Sequence, residues 1–303
     1  MSVTSSRGSD AAASAPPSYE EDPSLASIGV VACDMDLTLL ADDKSMPEGI
    51  EERISALAGL GVPFAAASGR PAYTLEAAFP RSAADMAFIA DNGGLVTYRG
   101  RTIFKDLLDP ADYRAFCQTC LNEAPDAVPV VCGLERAYAL KRHVAFDSLL
   151  RVYYLDITYL DTFDGLEAEA DKATILFPGN DSRRYYDEVF APRFGEEFYV
   201  TCSGVEWVDF MNKGVNKGLG VAKLCEHVGV ALEDAAAFGD TDNDAPMLDA
   251  VGHSFLVANA SEHMYPHARY LAPSNNEAGV VQVLDAVLAA KGAAGVERAR
   301  DPS

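Results

Sequence analysis

The chain has 303 residues, of which 49% are hydrophobic, enough for two domains with cores of ordinary size. Forty-six acidic against 24 basic residues give a formal charge of −22. With no lysine or arginine cluster to follow a phosphate backbone, neither nucleic acid nor an anionic membrane surface is expected as a partner.

Residues 1–26 are small and polar, lack the leucine-rich segment of a secretion signal, and read as a disordered tail. No apolar run reaches the ~18 residues of a membrane span; the nearest, Ala56 to Ala67, is interrupted by glycine and proline. Ile28 to Cys33 is apolar and partly β-branched, as in a parallel strand covered on both faces. Ser45 and Glu48 fit an S-x-x-E capping box for a helix whose Ile50, Ile54 and Leu57 share a face, with Gly61 as its stop. "VPFAAA", ending at Ser68, and "MAFIA", ending near Asn92, supply further strands. Strand, helix, strand, helix, strand predicts a doubly wound α/β domain with a parallel sheet. Between about Tyr98 and Tyr199, helical stretches such as "DPADYRAFCQTCLNEA" alternate with the strands "RVYYLDITYL" and "KATILF", which reads as an inserted α+β domain. The α/β pattern resumes with the helix "VNKGLGVAKLCEHVG", a strand ending at Asp240 and another ending at Asn259. The predicted organisation is a tail over 1–26, a core over 27–97 and 200–290, an inserted domain over 98–199 and a C-terminal tail over 291–303.

Six scattered cysteines predict reduced thiols and a cytoplasmic protein. Cys117 and Cys120 form a CxxC inside a helical segment with no second pair at zinc spacing, so they are expected to be helix neighbours. His263 and His267 have i, i+4 spacing, but Pro266 interrupts the turn and no carboxylate completes a zinc motif.

Chemistry gathers at strand ends, where doubly wound folds place their ligand crevice. The ends read "DMDLT", "SGRP", "DNGG" and "GDTDND". In an extended segment Asp34 and Asp36 point to one side, and Asp240 and Asp244 can approach the same site. Carboxylates this close repel by roughly 1–4 kcal/mol per pair unless a cation separates them, and oxygen-only ligation that leaves room for substrate phosphate suits Mg²⁺. Calcium loops of the EF-hand type fail: one beginning at Asp34 has Leu39 and Ser45 where glycine and glutamate are required, and one beginning at Asp240 has Ala245 and Val251.

"DMDLT", Ser68 in "ASGRP", Lys217 in "VNKGLG" and "GDTDND" resemble, in order, the four motifs of the haloacid dehalogenase (HAD) superfamily of phosphatases. The insertion of about 100 residues between the second and third motifs is similar to the C2-type cap of the Cof-like subfamily (class IIB), and "VANASEHMYPHARYLAPSNNEAGVVQVL" is similar to that subfamily's ending. The resemblance covers roughly Ile28 to Ala290.

The resemblance implies a Mg²⁺-dependent phosphatase of small phosphorylated metabolites, such as sugar phosphates or phosphorylated cofactors, working through an aspartyl-phosphate. By it, Asp34 is the nucleophile and a metal ligand. Asp36 is the acid and base and gives its backbone carbonyl to the metal; beside another anion its carboxyl is expected to resist ionisation. Thr38, Ser68, Gly69 and Asn243 bind phosphate, Lys217 neutralises the nucleophile and the phosphoryl group, Asp240 is a metal ligand, and Asp244 holds the metal's water shell or Lys217. Lys213 competes with Lys217 for the lysine role, Arg70 contacts either substrate or an acid, and Lys141, Arg142 and His143 are expected in a solvated strand end or loop, with contact to an anionic substrate as the alternative. A sugar phosphomutase with the same core, and a non-catalytic regulatory protein of the same fold, are the alternatives. Leu37 stands where the family has glycine; since leucine disfavours positive φ, a negative φ is expected, with the side chain turned from the phosphate.

Overall fold

A computed structural model of the protein describes residues 14–300. Five strands precede the insertion: β1 (Val30–Asp34), β2 (Phe64–Ala67), β3 (Ala87–Ala90), β4 (Leu95–Tyr98) and β5 (Arg101–Lys105). Six belong to it: β6 (Val128–Gly133), β7 (Ala137–Leu140), β8 (Ile157–Leu160), β9 (Ala170–Leu176), β10 (Phe198–Cys202) and β11 (Trp207–Asn212). Three follow: β12 (Ala235–Gly239), β13 (His253–Val257) and β14 (Tyr270–Ala272).

The eight-stranded sheet runs β14-β13-β12-β1-β2-β3-β4-β5, parallel from β14 to β3 and antiparallel beyond. Side-chain alternation explains its two buried faces. Val31, Cys33, Phe64, Ala66 and Phe88 pack against Ile54 and Leu57 of the helix Ile50–Gly59 and against Val283, Leu284 and Val287 of the helix Gly279–Arg300. Val30, Ala32, Ala65, Ala67 and Ile89 pack the other way, against Val221 and Leu224 of the helix Lys217–Val228. Strand order reverses direction at β1, between β12 and β2, which opens a crevice at the carboxyl ends of these strands.

The second sheet runs β10-β11-β9-β6-β7-β8 and is antiparallel except between β7 and β8. Phe116, on the helix Pro110–Glu123, stacks on Phe210 at 4.5 Å and closes one face of this sheet. The α/β class and the inserted α+β unit are as read from the sequence. The borders differ. β5 continues the first sheet as a hairpin with β4, and β10 and β11 belong to the second, so the units meet near residues 106 and 213 rather than 98 and 199. Pattern alone cannot assign such strands, because a hairpin partner looks the same at the edge of either sheet.

Three further expectations are corrected. Residues 1–13 lie outside the described part, but the tail is ordered well before Ser27: Leu271 donates to the Pro17 carbonyl (2.7 Å), Leu25 is buried, and the buried Asp22 carboxylate meets His253 Nδ1 at 2.6 Å. The polar composition concealed one apolar anchor and one buried polar pair. The segment after 290 is no tail up to Arg300, since it continues the last helix. Ser45 and Glu48 do not cap the helix Ile50–Gly59; it starts after Gly49, in the left-handed region, while Ser45 closes a loop by accepting from the Ala41 amide. As expected, all six cysteines are free, and Cys117 and Cys120 are buried helix neighbours. No helix among the described residues is long and apolar enough to cross a membrane.

Removing the Asp22 carboxylate strands the buried ring nitrogen of His253 without a partner. Asp22→Ala is expected to cost about 1–3 kcal/mol in urea unfolding and to speed protease cleavage ahead of Ser27. An unchanged midpoint would show that the segment is only loosely attached.

Candidate active site

Asp34 ends β1 and is buried. The chain then turns sharply, because the Met35 carbonyl accepts from both the Leu39 and Leu40 amides (3.1 and 2.8 Å). This turn sets Leu37 at φ 64°, contrary to the negative value expected from its side chain. Asn259 Nδ2 fixes the conformation by donating to the Leu37 carbonyl at 2.8 Å. A leucine in the left-handed region costs roughly 1–2 kcal/mol, which the turn's own hydrogen bonds offset. Leu37 lines the cavity together with Ser68 and Lys217 and is 39% exposed.

Lys217 opens its helix, where the Asn216 side chain caps by accepting from the Leu219 amide at 2.9 Å. It is 1% exposed, and its ammonium donates to Asp34 Oδ1 at 2.5 Å and Asp244 Oδ1 at 2.6 Å. Lys213 instead reaches the Glu196 carbonyl, which separates the two candidate lysines. Asp244 is held from the other side, its Oδ2 accepting from the Asp240 and Thr241 amides at 2.9 and 3.1 Å. Gly239 permits this approach, since a Cβ there would collide with the Asp244 side chain. Thr38 Oγ1 donates to Asp240 Oδ1 at 2.8 Å.

Burial raises the Asp34 carboxyl to about 8, reinforced by Asp244 and Asp240 and opposed by Lys217. Burial, then Asp244, also lifts Asp240 to about 6. For Lys217 burial works against the charge, but Asp244 and Asp34 outweigh it and hold the ammonium above its ordinary value. One carboxylate oxygen each from Asp34, Asp240 and Asp244 lie within 4.8 Å of one another. Three crowded acids facing one ammonium, two of them pushed toward the protonated form, fit a hard divalent cation with oxygen ligands.

Asp36 differs from expectation. Its carboxylate lies outside this cluster, 34% exposed, and takes a forked pair from Arg70 (2.8–3.1 Å) and a bond from Lys44 (3.0 Å). Partial burial opposes ionisation, yet Arg70 and Lys44 prevail and its carboxyl falls below the usual value. Cations, not a neighbouring anion, set its state. The opposite was expected because charge so far along the chain, at Lys44 and Arg70, leaves no local pattern.

Ser68 is buried at the end of β2; its hydroxyl accepts from the Arg70 amide at 3.2 Å and, with Gly69, lines the cavity. Asn243 also lines it and approaches Asn92 Oδ1 at 3.4 Å. Asp91 and Asn92, at the strand end "DNGG", both take positive φ (48° and 55°). Lys172 of β9, which sequence reading passed over, is buried between the sheets, 2.8 Å from Asp91 and 2.5 Å from the Gly69 carbonyl. The cavity, about 780 Å³, lies between the strand ends and the second sheet and is also lined by Tyr153, Trp207 and Asp209. Lys141, Arg142 and His143 are away from it: Lys141 pairs with Asp161, and Arg142 donates to His143. His263 and His267 sit on the surface beside Asp242 and Asp249.

The family profile of haloacid dehalogenase-like hydrolases matches residues 31–284. The chain belongs to this family. It is 32% identical over 264 residues to 5-amino-6-(5-phospho-D-ribitylamino)uracil phosphatase YbjI of Escherichia coli, covering 86% of this chain and 97% of that protein. It is 24% identical to the HMP-PP phosphatase of Klebsiella pneumoniae, over 82% of this chain and 92% of the relative. Among solved structures, SMU.1108c of Streptococcus mutans superposes with a TM-score of 0.78 at 25% identity, over 86% of this chain and 99% of that one. The HAD subclass IIB sugar phosphatase BT4131 shares the fold, with a TM-score of 0.69 at 19% identity, over 84% and 97% of the two chains.

Leu37→Gly removes the backbone penalty with little loss of buried surface. It is expected to raise unfolding stability by about 1 kcal/mol in urea titrations. A loss of that size would show that the leucine side chain stabilises the turn.

Proposed function

We propose that the protein hydrolyses small phosphomonoesters through a phosphorylated Asp34, with Mg²⁺ as cofactor, in the cytoplasm. The observation that carries this reading is the buried Asp34, held by Lys217 beside Asp240 and Asp244 on the floor of a cavity that a second sheet covers. The relatives named above as phosphatases of a phosphoribitylamino-uracil and of HMP-PP support a small phosphorylated metabolite as substrate.

Lys217 orients Asp34 and opposes the rise that burial imposes on its carboxyl, and a bound cation would favour the ionised form further. An Asp34 oxygen attacks phosphorus; the bond from phosphorus to the leaving oxygen breaks, and that oxygen takes a proton from Asp36. Water then attacks the phosphorus of phospho-Asp34, Asp36 takes the water's proton, and the Asp34 carboxylate is released with phosphate. For the first step Asp36 must give up its contacts with Arg70 and Lys44, which favour the ionised form. The second step needs that ionised form, so the same two cations favour the resting base. Ser68, Gly69 and Asn243, which line the cavity, would hold phosphate oxygens, joined by Thr38 once its hydroxyl turns from Asp240. Asp34, Asp240, Asp244 and the Asp36 carbonyl would hold Mg²⁺, which when bound screens the negative charge of nucleophile and phosphate. The second sheet acts as a cap that excludes water and contacts the leaving group.

Phosphate release from p-nitrophenyl phosphate is expected to require Mg²⁺ and to drop to background in Asp34→Asn. Asp36→Asn should lower kcat by roughly 10²–10⁴-fold. Wild-type turnover no faster than that of Asp34→Asn would contradict the reading.

A further inference from the structure

We infer that the leaving group of the substrate is uncharged and hydrogen-bonding, presents an N–H or O–H donor to Asp209, and carries no second phosphate or carboxylate; this rests on the hydrolase reading above. Three residues form a row across the cavity face of the second sheet. Thr201 of β10 is the register partner of Asp209 of β11, which is the partner of Thr174 of β9. All three line the same cavity as Asp34 and Asp240.

The Thr174 hydroxyl donates to Asp209 Oδ1 at 2.6 Å, fixing the carboxylate against β9. No described residue donates to the second Asp209 oxygen or forms an ion pair with it, although the side chain is nearly buried. Asp209 lines the cavity, where a substrate can bring a donor to that second oxygen. Trp207, on the same face two residues earlier, is 9% exposed and packs edge-on against Tyr153, with ring centroids 5.2 Å apart. Its indole N–H is buried without a partner and suits a carbonyl or hydroxyl oxygen of the same ligand. The cap therefore offers one acceptor, one donor and an aromatic wall.

Charge decides against a second anion. Each lysine or arginine lining the cavity is already matched: Arg70 with Asp36, Lys172 with Asp91, Arg183 with Asp187 and Lys217 with Asp34 and Asp244. A doubly anionic ester that reached the second sheet would bring its remote charge against the Asp209 carboxylate, which repels it. Neutral polyols and neutral heterocycles with N–H and C=O edges meet these requirements.

Fructose 6-phosphate and fructose 1,6-bisphosphate isolate the remote charge. The wild-type protein with Mg²⁺ is expected to show a kcat/KM roughly 10- to 100-fold higher for the monophosphate. Asp209→Asn, which keeps the shape and the acceptor for Thr174, should narrow that ratio, and Asp209→Lys should narrow it further or reverse it. Equal or better use of the bisphosphate by the wild type, or a ratio unchanged in both variants, would overturn the inference. Failure of the hydrolase reading shows itself separately, as no phosphate release from either ester or from p-nitrophenyl phosphate. Calorimetric titration of the same two esters into the three proteins then gives the same comparison as a ratio of Kd values, with the same expected and overturning outcomes.

Discussion

One buried ammonium organises this site. Lys217 lies between Asp34 and Asp244, at 2.5 and 2.6 Å, where none of the three charges could stay buried without the others. The sheet order follows the same need: β1 and β12 are neighbours, so their carboxyl ends deliver Asp34 and Asp240 side by side, and the helix after β11 supplies the lysine from one face. Gly239 lets Asp244 come close enough for two backbone amides to hold it. The excess of carboxylate over ammonium gives the cluster a donor set that could hold a cation.

The two sheets are tied where they meet. Lys172, from the second sheet, is buried against Asp91 and the Gly69 carbonyl of the first, and Thr74 donates to the Tyr153 carbonyl across the same junction. A buried ion pair contributes little net stability but is costly to break, so it favours one relative placement of the sheets over others. That placement sets Tyr153, Trp207 and Asp209 in the same cavity lining as Asp34, Lys217 and Asp240.

The α/β pattern and the identity of Asp34, Lys217, Asp240 and Asp244 were legible because each sits at a strand end or helix start beside an unmistakable periodic run. Long-range pairing was not. Nothing near Asp36 announced Arg70, and no local pattern joined Lys172 to Asp91, 81 residues apart by the numbering. Leu37 misled for a physical reason: propensity argues for negative φ, but two hydrogen bonds to one carbonyl and the Asn259 amide outweigh a penalty of roughly 1–2 kcal/mol. Asp22 and Leu25 misled in the same way, since a polar segment needs only a few buried contacts to become ordered.

The most direct test of the central claim is to look for phosphate on Asp34 itself. The protein is mixed with p-nitrophenyl phosphate and Mg²⁺, quenched in acid on the millisecond scale, digested and analysed by mass spectrometry. A phosphate-sized mass increment on the peptide carrying Asp34, absent from Asp34→Asn and decaying as free phosphate appears, is the predicted result. Steady phosphate release with no such increment at any quench time would contradict the account.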